Sequence, residues 1–314
     1  MTAVITVPPS LDDATFEQVI DQLAATSPDQ KILVDARHTR WASPYGLTGL
    51  LTLAQTRAER PQFAAPEADD TASYWARTGF FRHAEELFDF TKRPPRSRDG
   101  GESSVLLEIT PLAQAGDVHT VVERIGARAQ AILQGELNLD IRATMGFSMT
   151  LSEACQNVIE HAGGAGWVGV QTYTWRQRLG RRVVVIAVSD GGIGFRRSLE
   201  SAQGIARSDR WDDAMALEEA VMRGVSRFKA RDPGRGQGLK GIRTYVGKWD
   251  SKLSVRSGTA RIALVPPWDD DQPMREKLSD FPGAQMQITI PQRVAAAPGE
   301  AAPGSSARRA GARR

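Results

Sequence analysis

Two rhythms of apolar spacing alternate along the chain. Residues 2–7 alternate weakly between apolar and polar side chains, with β-branched residues among them, which predicts a strand ended by Pro8-Pro9. Phe16, Val19, Ile20 and Leu23 then recur at helical spacing, with Asp12 or Asp13 as the candidate cap. A short buried strand at 32–35 leads to a turn at 41–46. Leu47, Leu50, Leu51 and Ala54 mark the inner side of a helix over 47–58. A weak strand at 62–64 follows, then a helix over 71–78 anchored by Tyr74 and Trp75; Phe80-Phe81 and Leu87-Phe88 close the unit. This order of elements predicts a small α/β domain over residues 1–90.

Residues 91–104 combine Pro, Gly, Ser and alternating charge without large apolar side chains, the composition of a linker. A strand at 105–110 opens a second unit. Val121, Val122, Ile125, Ala129 and Ile132 give a helix behind Asp117, and a second helix runs over 139–162. Strands are expected at 166–173 and 182–189. An irregular segment over 196–233 contains one helix at 213–222, and another helix starts near Leu239. Strands at 253–256, 261–265 and 285–290 complete an α/β sandwich over 105–291, predicted as one mixed sheet with helices on one face. The Ala, Pro, Gly and Arg of 292–314 cannot build a core, so this tail is expected to be disordered.

Composition acts mainly by exclusion. Of 314 residues, 41% are hydrophobic and 25% charged, the balance of a soluble globular protein. A net charge of +3 does not call for a nucleic-acid partner, and Arg308, Arg309, Arg313 and Arg314 put much of the basic excess in the tail. The single cysteine, Cys155, excludes an internal disulfide or a zinc cage and reads as a core residue. No run approaches the ~20 apolar residues of a membrane span. No basic segment followed by a long apolar run opens the chain, so no membrane partner and a cytoplasmic location are expected.

Three stretches carry candidate chemistry. On the helix before Gly163-Gly164, Glu153, Asn157 and His161 recur at i, i+4 and i+8 beside an apolar side formed by Leu151, Cys155, Val158, Ile159 and Ala162. An Asn carbonyl oxygen suits Mg²⁺, and Glu153, one turn earlier, suits a general base. After the apolar strand stands Asp190-Gly191-Gly192-Ile193-Gly194. Its carboxylate can accept from an exocyclic amine, and its glycines let a ligand approach the backbone. Gly234-Arg235-Gly236-Gln237-Gly238-Leu239 precedes a helix, where free N–H groups favour phosphate. Taken singly, these are equally a solvated helix face, an Asp-Gly turn and a hinge.

Their order, Glu-x-x-x-Asn, Asp-x-Gly-x-Gly, Gly-x-Gly-x-Gly-Leu, resembles the N, G1 and G2 boxes of the GHKL ATPases over 105–291. The resemblance implies a Bergerat-type site binding ATP and Mg²⁺. In it Asp190 contacts adenine, Asn157 holds the metal, Gly192 and Gly194 shape the adenine turn, and Gly234, Gly236, Gly238 and Leu239 form the phosphate end. Residues 196–233 become the lid. One departure is Gly283-Ala284, where the family's last strand often opens with Gly-Thr.

The N box ends in His161-Ala162, as in histidine kinases and anti-sigma serine kinases, and no dimeric hairpin with a phosphoacceptor His precedes it. Residues 1–90 resemble the STAS (anti-anti-sigma) fold around Val34-Asp35 and Ser43-Pro44-Tyr45-Gly46-Leu47, with Pro44 at the family's phosphoacceptor position. An unrelated α/β dimerisation domain fits the same pattern. Together the resemblances imply a signalling protein of the anti-sigma serine/threonine kinase type, with Glu153 as catalytic base. Its expected partner is a protein, a STAS-domain protein or a second copy of the chain. The alternative is an ATP-dependent switch without kinase activity.

Overall fold

The strand rhythm of the first unit becomes a parallel sheet. The computed structural model describes residues 2–27, 29–95, 105–135, 137–162, 165–176, 179–201, 211–226 and 238–293, side chains at 105–106, 125–131 and 161–162 excepted. The elements are β1 (Ala3–Thr6), β2 (Ser10–Leu11), α1 (Glu17–Ala24), β3 (Ile32–Asp35), β4 (Trp41–Ala42), α2 (Pro44–Gln55), β5 (Gln62–Ala64), α3 (Asp69–Arg77), α4 (Phe80–Leu87) and β6 (Asp89–Phe90). Strands β1, β3, β5 and β6 pair in that order, all parallel, with helices as the crossovers.

Four elements, β2, β4, α4 and β6, go beyond the sequence expectation. A helix of eight residues is too short to display a period, so its aromatic residues read only as a closing cluster. They do close the core: Phe63 stacks against Trp75, Phe80, Phe88 and Phe90. Of the two candidate caps, Asp12 accepts from the Ala14 and Thr15 N–H groups in the turn before α1. Asp13 is turned to a different task, below.

The remaining elements are β7 (Val105–Leu112), α5 (Ala115–Gly135), α6 (Ile141–Asn157), β8 (Gly166–Trp175), β9 (Arg181–Asp190), α7 (Gly194–Glu200), α8 (Asp213–Leu217), α9 (Gly238–Lys248), β10 (Lys252–Gly258), β11 (Ala260–Leu264), β12 (Met274–Arg275) and β13 (Phe281–Pro291). Single π turns, Val158–Ala162 and Glu218–Met222, extend α6 and α8. The expected irregular segment after Gly194 therefore begins as a helix, α7. The sheet runs β12-β11-β10-β13-β9-β8-β7. Every neighbouring pair in it is antiparallel, so the mixed sheet of the sequence reading is corrected. The protein as a whole is mixed α/β.

A second correction concerns the faces of this sheet. Strand residues alternate between two sides. Val184, Ile186, Val188, Leu253, Val255, Met286, Ile288 and Ile290 join the core shared with α5, α6 and α9. On β10 and β13 the alternate positions are polar: Lys252, Ser254, Arg256, Gln285, Gln287 and Thr289. That alternation predicts a wet outer face. Instead all six are buried, and the first unit supplies partners to Lys252, Arg256 and Gln285.

Helix α2 lies on β8, β9 and β13, and Pro44 through Ala54 are all buried. Gln285 Nε2 donates to the Tyr45 carbonyl at 2.7 Å. Arg256 meets Glu17 through two hydrogen bonds, 2.9 and 3.3 Å. Lys252 contacts Asp13, Asp269 and Asp271 at 3.3, 3.1 and 2.8 Å, and Asp271 also takes the Arg261 guanidinium. Burial alone raises the Asp271 carboxyl; its hydrogen bonds and charges from Arg261 and Lys252 outweigh that and hold it well below the carboxylate range.

Candidate functional site

Helix α6 begins on a proper cap: Asp140 accepts from the Ala143 N–H at 2.8 Å. Leu151, Ala154, Cys155 and Val158 are buried along one side, which fixes the rotation of the helix. Cys155 is thus the core residue its position implied, and burial pushes its thiol up to about 12. Glu153 and Asn157 lie on the flank that this packing leaves open. At Val158 the helix widens into the π turn, a device that re-aims side chains at helix ends.

A cleft of about 940 Å³, its open mouth included, runs beside this flank. Its walls include Glu153, Asn157 and Glu160 from α6 and its π turn, Val188 and Asp190 from β9, Phe195 from α7, Gly238 and Leu239 from α9, and Met286 from β13. The wall is apolar with a few polar groups, the usual lining of a ligand site.

Asn157 is the most pointed of these groups. Its amide nitrogen is buried and has no hydrogen-bond partner among the described residues. Buried amides are normally paired, and an unpaired N–H donor on a cleft wall can meet an acceptor group there. Gly238 sits directly opposite. A Cβ there would come within 2.5 Å of Glu153 Oε2 and 3.7 Å of Asn157 Oδ1. A side chain at 238 would fill the space that the carboxylate and amide border. Partial burial, then the like charge of Glu160, raises the Glu153 carboxyl above its ordinary value.

Asp190 occupies the far end, 6% exposed. Burial pushes its carboxyl up to about 6, against the pull of the Gly192 and Ala284 N–H groups. The Gly192 N–H donates to Oδ1 at 2.9 Å. Gly192 therefore shapes the turn and is not among the residues lining the cleft. Gly194 does line it, in the left-handed region at φ 70°, and begins α7. Gly234 and Gly236, together with Arg235 and the His161 side chain, lie outside the described residues. The structure thus brings together Glu153, Asn157, Asp190, Gly194, Gly238 and Leu239.

Sequence reasoning missed what holds the Asp190 turn. Gly283, at φ 81°, passes so close that a Cβ would press on the Asp190 carbonyl and come within 2.5 Å of the Gly192 nitrogen. Ser257 accepts from the Phe195 N–H at 3.1 Å and donates to the Gly283 carbonyl at 2.8 Å, tying α7 to the same turn. The only sequence signal was Gly283 itself, and its partner lies a whole sheet away in the chain. Gly283→Ala is expected to cost ~2 kcal/mol or more, from the left-handed backbone and the contact together. A thermal melt checks this: a melting temperature within 1–2 °C of wild type, the scatter of a surface change, would refute the packing role.

No family model matches the chain, and no curated protein matches it. Among solved structures the chain is similar to the mycobacterial sensor histidine kinase MprB, at 18% identity and a TM-score of 0.26, with 59% of this chain and 99% of that one covered. A likeness at that level says nothing of activity. No helix among the described residues is long and apolar enough to cross a membrane.

Proposed function

We propose that the cleft is a GHKL-type site for ATP and Mg²⁺, in a signalling protein of the anti-sigma serine/threonine kinase type carrying a STAS-like unit over residues 1–90. The observation behind this reading is the convergence of Glu153, Asn157, Asp190 and Gly238, from α6, the end of β9 and the start of α9, on one open cleft. These are the positions that the box order assigns to base, metal, adenine and phosphate. Among the described residues no three His, Cys, Asp or Glu side chains cluster into a metal cage. A site made of one Asn and ligand phosphates needs no such cage. Asn157 would hold Mg²⁺, which neutralises phosphate charge when bound. Asp190 accepts from the adenine amine. Glu153 takes the proton of an incoming Ser or Thr hydroxyl, and its raised carboxyl moves it toward the working range of a base.

The STAS-like turn of the first unit offers no acceptor. Pro44 has no hydroxyl, and Ser43 is buried and caps α2 by accepting from the Gly46 N–H at 3.2 Å. The reading therefore directs phosphate to a separate partner, for which a STAS-domain protein is the first candidate. The same burial supports the second reading, a switch in which ATP alters partner binding without transfer.

Labelled ATP, the chain and candidate STAS partners test the choice. Glu153→Ala is expected to lose transfer by ~100-fold or more while keeping ATP affinity within about threefold. Transfer undiminished in Glu153→Ala would remove the base assignment. ATP bound by wild type with neither transfer nor phosphate release would leave the switch.

A further inference from the structure

We infer that Thr52 and Thr56 of the first unit are positioning residues for Asp190, so that recognition of the base in the cleft depends on a helix outside the nucleotide-binding half of the chain. The inference rests on the nucleotide reading above and adds to it a second set of residues.

The geometry follows from strand alternation. Asp190 ends β9 and faces the cleft. Its neighbour Ser189 must point to the opposite side of the sheet. There α2 lies across β9, and the Thr52 and Ser189 hydroxyls meet at 2.8 Å. Both residues are fully buried, so neither hydroxyl has water as an alternative. One residue further on, Gly191 is packed as tightly. A Cβ there would reach Thr56 Cγ2 at 2.5 Å, with Thr52 Cγ2 next at 3.8 Å. Gly191 is not among the glycines in the left-handed region, so space, not backbone conformation, restricts it. Asp190 thus stands between two residues, one held by Thr52 of α2 and the other by Thr56, the residue that caps the C-terminus of that helix.

The helix is itself fixed. Gln55 accepts from the Trp167 indole N–H at 2.9 Å, beside the start of β8. The Tyr45 carbonyl accepts from Gln285 on β13, one residue beyond Ala284. Contacts at both ends of α2 leave it little freedom to follow the turn. A shift of the turn must then break the Thr52 hydrogen bond or compress Thr56.

The consequence is specific to the part of the ligand that Asp190 reads. Thr52→Val keeps the shape of the side chain and removes the hydroxyl. Wild type is expected to prefer ATP over inosine triphosphate, which lacks the exocyclic amine. The preference should fall about tenfold in Thr52→Val, the effect of one misplaced hydrogen bond, with affinity for inosine triphosphate unchanged. Thr52→Ser should restore it. Gly191→Ala should lose the preference as well, and adding Thr56→Ser, which removes the obstructing methyl, should recover it.

Titration of the full chain with each nucleotide decides. Wild type that binds no ATP would overturn the nucleotide reading and this inference together. ATP binding with the preference intact in both Thr52→Val and Gly191→Ala would overturn the inference alone. So would an equal loss of both nucleotides in Thr52→Val, because a merely structural residue behaves that way.

Discussion

Replacing Glu17 with alanine is expected to lower stability by ~3–5 kcal/mol, the cost of leaving a buried charge without its partner. The stranded charge is Arg256, whose side chain is 0% exposed. Glu17 holds it through two oxygens, and the Gly258 and Ser279 carbonyls take its remaining N–H groups. Removing the carboxylate leaves a guanidinium that has neither water nor a counter-charge. For a chain of this length the loss corresponds to a fall in melting temperature of roughly 5–8 °C. The double substitution Glu17→Leu with Arg256→Met removes both charges and should recover most of it. Calorimetry on the single and double variants checks the pair. A Glu17→Ala melt within 2 °C of wild type would show that the two units are not joined through this contact.

Asp190→Asn is expected to act in opposite directions on binding and on stability. It removes a charged acceptor, and ATP affinity should fall ~10- to 100-fold. It also removes a carboxylate whose ionisation burial opposes. A carboxyl raised from 3.8 to about 6 costs the fold ~3 kcal/mol once ionised. Between pH 3.8 and about 6 the native state keeps a proton that the unfolded chain has lost, so this group's contribution falls as pH rises through that window. Above it the deficit is constant. The melting-temperature advantage of Asp190→Asn over wild type should therefore be small near pH 4 and grow to a plateau above pH 6. ATP affinity of wild type should weaken as pH falls through about 6, because the protonated carboxyl loses its acceptor charge. Melts of both proteins across this range, beside ATP titrations, measure both. A variant less stable than wild type at pH 7 would mean that Asp190 serves the fold and not a ligand.

Much of the candidate site was readable from spacing alone. Glu153 and Asn157 share a flank because four residues are about one helical turn, and Leu151 and Cys155 fix which flank is open. Asp190 ends a strand whose apolar run is visible in the sequence. The elements of the first unit also followed their periods, apart from β2, β4, α4 and β6.

What escaped is what depends on partners distant in the chain. The polar positions of β10 and β13 have the alternation of a wet face, and nothing local shows that α1 and α2 cover them. Nothing near Lys252 and Arg256 in the chain points to Asp13 and Glu17 as their partners. Parallel or antiparallel pairing carries no strong mark in single strands, so the larger sheet was expected to be mixed. Gly283 was noted only for the residue after it, while its own role is to let β13 pass against the Asp190 turn.

The central claim is that Asn157 and its neighbours form an ATP–Mg²⁺ site. Calorimetric titration of the full chain with ATP, with and without Mg²⁺, tests it most directly, beside Asn157→Ala. The expected result is saturable binding by wild type that Mg²⁺ strengthens by about tenfold or more, and binding by Asn157→Ala that Mg²⁺ leaves unchanged. Absence of binding by the folded wild-type chain, or an equal Mg²⁺ effect in both proteins, would contradict it.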